Sequence, residues 1–160
     1  MGSRSSIKLA YVAGFLDGDG SLMLQLKKRK DGNRSKLRFM PTICFYQDSR
    51  HEDDLYWIRD VFDIGYISRR NDGMTELRIN GYRQVRDILI SLLPHIRFKR
   101  IQAKALKEAC EILLKTKLKM LSEAQLVKLV DLILAIQKEN YVTKKKKTKN
   151  ELLLMLGLTP

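Results

Sequence analysis

From Ile7 to Leu16 the chain reads IKLAYVAGFL, apolar at almost every position after Lys8. A helix of that composition has no face for water, so it must be covered on two sides. The residues that follow, DGDGS, end it, because Gly18 and Gly20 supply permissive backbone. The period then changes from helical to alternating. Between Ser21 and Arg29, Leu22, Leu24 and Leu26 fall on one side and Met23, Gln25, Lys27 and Arg29 on the other. This predicts a half-buried strand with a basic outer face. Asp31-Gly32-Asn33 marks a turn, and Leu37 to Gln47 predicts the returning strand. Its inward set is Leu37, Phe39, Ile43 and Phe45; its outward set is Lys36, Arg38, Met40, Thr42, Cys44 and Tyr46.

After Ser49, which suits an N-cap, HEDDLYWIRDVFD has helical spacing and ends before Gly65. A second, shorter hairpin is predicted from Tyr66 to Arg70 and from Thr75 to Asn80, around a turn at Asn71-Asp72-Gly73. Leu77 and Ile79 face in, while Ser68, Arg70, Glu76, Arg78 and Asn80 face out. Helical segments are expected near Tyr82–Leu93, Arg100–Lys117 and Ser122–Asn140, separated by Pro94 and by Lys119-Met120-Leu121. The order α-β-β-α-β-β-α with further helices defines an α+β fold with a four-stranded antiparallel sheet. Residues 7–141 read as one domain. Residues 142–160 read as a basic extension with a short apolar tail, and residues 1–6 as an expression scar or disordered start.

Composition adds a partner class. A hydrophobic fraction of 44% excludes wholesale disorder, so the formal charge of +13 is carried by a folded surface. Such an excess points first to a polyanion, of which nucleic acid is the commonest. No apolar run reaches the roughly 18 residues of a membrane span, and no membrane partner is expected. An intracellular location is expected, organelle and microbial cytoplasm being indistinguishable. Cys44 and Cys110 cannot build a disulfide framework, and with only His51 and His95 to help them they do not make a zinc site. Both read as free thiols, and neither histidine reads as a catalytic base.

Residues 12–20, VAGFLDGDG, carry acids at the sixth and eighth positions and lead straight into the alternating strand. A calcium loop would use Asp17 and Asp19, but Leu22 and Lys28 stand where its glycine and closing glutamate belong. With this motif the sequence resembles the LAGLIDADG homing endonucleases, and the resemblance extends over the element order from Ile7 to about Lys117. It implies that the second acid, Asp19, binds the catalytic metal with the carbonyl of Gly18. It also implies that Gln47 positions the water network and that Lys99 lies near the scissile phosphate. Asp17 reads instead as a cap for neighbouring backbone N–H groups.

Only one copy of the motif is present, and single-motif members of the family act as homodimers that pack their motif helices at the two-fold axis. Gly14 and Gly18, four residues apart with Tyr11 on the same stripe, suit such a contact. Hard oxygen ligands and a largely aqueous shell make Mg²⁺ the expected ion. A two-hairpin face suits the major groove of double-stranded DNA, with Met23, Gln25, Lys27, Arg29, Arg38, Met40, Thr42, Cys44 and Tyr46 as base readers. Ser68, Arg70, Glu76, Arg78 and Asn80 extend that set. The expected activity is site-specific cutting of both strands of a nearly palindromic site of roughly 20 base pairs. Two rivals share the fold: an RNA-binding intron maturase and a cleavage-dead DNA-binding regulator. An intact Asp19 argues against the second.

Overall fold

The computed structural model describes residues 5–28 and 37–160. Along the chain lie α1 (Ser6–Asp19), β1 (Gly20–Lys28), β2 (Leu37–Asp48), α2 (Asp53–Phe62), β3 (Tyr66–Arg69), β4 (Met74–Asn80), α3 (Tyr82–Leu92), α4 (Arg100–Lys115), α5 (Glu123–Glu139) and α6 (Lys149–Met155). The four strands form one antiparallel sheet in the order β1-β2-β4-β3. The first turn, at Asp31-Gly32-Asn33, and the position of Arg29 lie outside the described residues.

The helices cover one face of the sheet. Leu22, Leu24 and Leu26 of β1 join Phe39, Ile43, Phe45, Leu77 and Ile79 beneath Val12, Ala13 and Leu16 of α1 and the apolar faces of α2 to α5. The inward parity expected for both hairpins is therefore the observed one. Pro41 sits inside β2, where a missing N–H would ordinarily break a central strand. It is accommodated because β4 ends at Asn80, opposite Thr42, so that side of β2 is already free at residue 41. On the other edge of the sheet, the Asn140 amide at the end of α5 donates to the Leu22 carbonyl at 3.0 Å and covers β1.

Three local expectations change. The first helix does not stop at Gly18 but runs through it to Asp19. Its last turn is held from outside: the Asp17 carboxylate accepts from the Arg97 and Lys99 backbone N–H groups at 2.7 and 2.9 Å, and the Lys99 ammonium donates to the Asp17 carbonyl at 2.6 Å. That ammonium satisfies a terminal helix carbonyl and opposes the negative end of the helix dipole. Gly20 then caps the helix in extended backbone, φ −112°. A Cβ there would lie 2.5 Å from Leu16 Cδ1 and 2.9 Å from the Leu16 backbone, so close approach, and not a left-handed conformation, demands glycine.

Ser49 is not the cap of α2. It opens a single 3-10 turn, Ser49–His51, capped by the Asp48 carboxylate, which accepts from Arg50 N, and its own hydroxyl bonds Thr75 Oγ1 at 2.8 Å. Finally, only one side of α1 is covered. Val12, Ala13 and Leu16 are buried, whereas Ile7, Tyr11, Gly14 and Gly18 are exposed, so the described residues do not supply the second cover that the apolar sequence requires.

The C-terminal helices are capped by sequence-local boxes. Ser122 with Gln125, and Thr148 with Glu151, each exchange side-chain and backbone hydrogen bonds. The apolar tail docks as α6, with Leu152 and Leu153 in the core.

Candidate active site and nucleic-acid interface

The segment Arg97–Lys99 and the end of α1 are 80 residues apart in sequence and are joined by the Asp17 hydrogen bonds. This contact carries the Lys99 side chain to the end of α1, where Asp19 is exposed and makes no hydrogen bond or ion pair to another described residue. Burial holds the Lys99 ammonium below its ordinary 10.5, while the Asp17 and then the Asp19 carboxylate pull it back up, so the ammonium lies within electrostatic reach of both. Asp17 acts on distant backbone donors and not on its own neighbours, which corrects the local-cap expectation.

Gln47 follows Phe45 and Tyr46 on β2, and Phe45 pairs with Gly20, the residue after Asp19. The register thus brings Gln47 to the same end of the sheet as Asp19. Its Oε1 accepts from Asp48 N at 2.9 Å, so the amide NH₂ is the group left for another partner. Asp19, Gln47 and Lys99 are therefore gathered at one end of the sheet by three separate elements. His51 and His95 do not join a cluster: among the described residues no three of His, Cys, Asp and Glu come together in a metal-holding group.

The outer face of the sheet carries none of the described helices, and its side chains form rows across the strands. One row is Ser21, Cys44, Arg78 and Tyr66; its neighbours are Met23, Thr42 and Asn80, and Tyr46, Glu76 and Ser68; Gln25 pairs with Met40 and Lys27 with Arg38. The expectation that every outward position is open to a base edge fails at three of them. Thr42, between Met23 and Asn80, and Cys44, between Ser21 and Arg78, are fully buried, and Glu76 is nearly so. Thr42 Oγ1 donates to Asn80 Oδ1 at 2.7 Å, which engages the acceptor of the Asn80 amide and leaves its donors. Burial pushes the Cys44 thiol from 9.0 up to about 11, so it stays protonated. Burial likewise raises the Tyr46 phenol to about 12, and its oxygen lies 3.0 Å from Ser21 Oγ.

Gln25, Arg38 and Arg70 are exposed, and Met23, Lys27, Met40, Tyr46, Ser68, Arg78 and Asn80 are half-buried. Ser21 and Tyr66 join this face without having been among the expected readers, although the strand period points to both: each is one step along the outward parity from a named residue.

The exposed stripe of α1 has room for another backbone. A Cβ built at Gly14 or Gly18 meets no described atom within 4 Å, so packing within the chain does not require either glycine. Tyr11, on the same stripe, is 62% exposed and touches Trp57 edge-on at 5.5 Å between ring centres. Phe98, beside Lys99, is 85% exposed.

A glycine-bearing helix ending in an exposed acid, set on a sheet with one bare polar face, defines a LAGLIDADG-type nuclease domain. The family model for LAGLIDADG endonucleases matches residues 12–113, and the chain belongs to that family, whose members are DNA endonucleases that use divalent metal ions. It is 32% identical over 114 residues to the DNA endonuclease I-CvuI of Chlorella vulgaris, covering 71% of this chain and 70% of that protein. It is 27% identical over 95 residues to the DNA endonuclease I-CreI of Chlamydomonas reinhardtii, covering 59% and 57%. The crystal structure of I-CvuI with the I-CreI target, in 2 mM Mg and with the DNA not cleaved, superposes with a TM-score of 0.72 at 28% identity, covering 96% and 97% of the chains. An archaeal intron-encoded homing endonuclease, I-Vdi141I, bound to DNA, shares the fold at a TM-score of 0.77 and 20% identity, covering 94% and 95%.

Proposed function

We propose that two copies of this chain cut both strands of a long, nearly palindromic DNA site by Mg²⁺-dependent hydrolysis. The observation that carries this reading is the exposed, unpaired Asp19 held beside the Lys99 ammonium at the end of the bare sheet face. The donor set suits a hydrated hard cation: a carboxylate with no protein partner among the described residues and the carbonyl of Gly18 in the last helical turn. When bound, such an ion supplies an activated water and charge for the leaving 3′ oxygen.

The chain's own residues prepare that chemistry. Asp17 fixes the 97–99 segment and holds the Lys99 ammonium at the end of α1, which supports a role for it toward a phosphate bound at Asp19. Gln47 offers amide donors to hold water at the same end of the sheet. A single chain presents one free carboxylate here, whereas cutting two strands needs two sites related by a two-fold axis. The open Gly14 and Gly18 stripe supports a homodimer, because two helix backbones meeting there would bring the two Asp19 residues together. On the sheet, Gln25, Arg38, Arg70, Arg78 and Asn80 provide base-edge donors and acceptors, and Lys27 adds charge. I-CvuI has been crystallised with its own target as well as with the I-CreI target, which supports duplex DNA as the substrate class here.

The test is incubation with a randomised duplex library, with and without Mg²⁺, and sequencing of cut ends. Asp19→Asn should lower cleavage by more than about 100-fold, beyond the effect typical of a residue that only supports a metal ligand, while duplex binding persists. Cleavage near the wild-type rate would remove Asp19 from the mechanism.

A further inference from the structure

Glu76 lies on the bare face of the sheet, yet only 8% of it is exposed. A carboxylate there opposes the entry of DNA unless it acts on its neighbours. Two residues further along the same face of β4, Arg78 donates Nε to Glu76 Oε1 at 2.7 Å. Arg70, the residue after β3, brings NH1 within 4.0 Å of Glu76 Oε2 and donates NH2 to Asp72 Oδ2 at 2.8 Å. Opposite them on β2 stand Cys44 and Tyr46, which pair with Arg78 and Glu76.

A guanidinium has two edges that can grip a guanine in bidentate fashion, one of which includes Nε. Glu76 occupies Nε, and Arg78 makes no other hydrogen bond to a described residue. Its side chain is 28% exposed. The edge left for a base is therefore the terminal NH1 and NH2 pair.

We propose that Glu76 is a positioning residue for sequence recognition: without contacting a base, it holds Arg78 so that the terminal guanidinium edge reads guanine at one symmetric pair of positions. This rests on the reading that the outer sheet face meets DNA. Arg70 is held separately, by Asp72 at 2.8 Å, and approaches Glu76 only to 4.0 Å, so the role assigned to Glu76 concerns Arg78 alone.

The experiment selects a preferred duplex from a random library, then titrates wild type, Arg78→Lys, Glu76→Gln and Glu76→Asp against it and its single-base variants. Glu76→Gln removes the charge at nearly constant volume; Glu76→Asp keeps the charge but withdraws it by one methylene. Arg78→Lys should relax preference at one symmetric pair of positions. At that same pair, both Glu76 variants should lower guanine discrimination about tenfold, within the range of one bidentate contact. Glu76→Gln should bind non-cognate duplex at least as tightly as wild type, since a negative charge is gone. In the Arg78→Lys background, Glu76→Gln should change base preference no further. A merely structural role would shift the melting temperature and weaken every duplex alike, without changing the order of bases. Unchanged preference at the Arg78 positions in folded Glu76→Asp and Glu76→Gln would overturn the proposal, as would an effect that persists in Arg78→Lys. If Arg78→Lys itself altered no base preference, the reading of the sheet face would fall first and the role of Glu76 with it.

Discussion

Two aspartates stand two residues apart at the end of α1 and do different work because their surroundings differ. Asp17 spends both carboxylate oxygens on the backbone N–H groups of Arg97 and Lys99, while Asp19 is left to solvent. An amide at position 17 has one acceptor oxygen and cannot serve both donors. Asp17→Asn should therefore leave one N–H without its acceptor and cost about 1–2 kcal/mol in urea unfolding. It should also loosen the Lys99 ammonium from the Asp17 carbonyl and so lower cleavage without removing the proposed metal ligand. Abolished cleavage with unchanged stability would instead give Asp17 a direct chemical role.

At the level of elements, the β3–β4 hairpin is pinned to the start of α2 through Glu52. Its carboxylate accepts from Arg69 Nε at 2.9 Å and from Thr75 Oγ1 at 2.9 Å. The Arg69 hydrogen bond, followed by the Thr75 hydroxyl, holds this carboxyl at about 2, below its ordinary 4.5. The folded state thus binds the proton less readily than the unfolded chain. The stabilisation is complete above about 4.5 and fades as pH falls towards about 2. Thermal unfolding followed between those values should fall more steeply with acid for wild type than for Glu52→Gln; parallel curves would show that the clamp contributes nothing.

The other element at issue is the open stripe of α1. Gly14→Leu places a side chain where the structure has space within one chain. Leucine also favours the helix over glycine by nearly 1 kcal/mol, so the chain should still fold. Where two backbones must meet, the same side chain is an obstacle. Sedimentation should show monomers at concentrations where wild type is dimeric, and double-strand cutting should fail. A wild type that is monomeric both free and on DNA would end the two-fold argument.

For the whole molecule, part of the excess of +13 lies on the bare sheet face, where Lys27, Arg38 and Arg78, with Arg70 beside them, outnumber Glu76. Lys145 and Lys147 line a cleft of about 220 Å³ with Gln25 and Lys27 of β1 and with Gln137 and Asn140 of α5. The basic run therefore flanks the edge of the proposed reading surface. A lysine there offers a point charge and no fork for a base. Lys145→Gln should weaken binding to all duplexes alike and reduce the salt slope by about one for each phosphate that is no longer neutralised, hence by about two for a dimer. A change in base preference with an unchanged salt slope would show that this lysine reads sequence.

Local periodicity was enough to reveal both hairpins, the inward leucines of β1, the outward arginines and the order of the elements, because those features depend on neighbours two to four residues away. The same is true of the motif at residues 12–20, whose two acids and first two glycines lie on one helix. What depends on distant partners was not legible. The helix runs past Gly18 because Arg97 and Lys99 supply donors from 80 residues on, and no local propensity signals that. Thr42 and Cys44 alternate outward, yet both are fully buried among neighbours that only the register brings beside them. By its alternation Glu76 is one more polar reader beside Arg78, and only the tertiary packing buries it and brings Arg70 near it. The chain by itself thus determined which residue types face which side. Tertiary structure decided which of them are open, because burial and hydrogen bonding between strands and helices are set by contacts that sequence spacing does not encode.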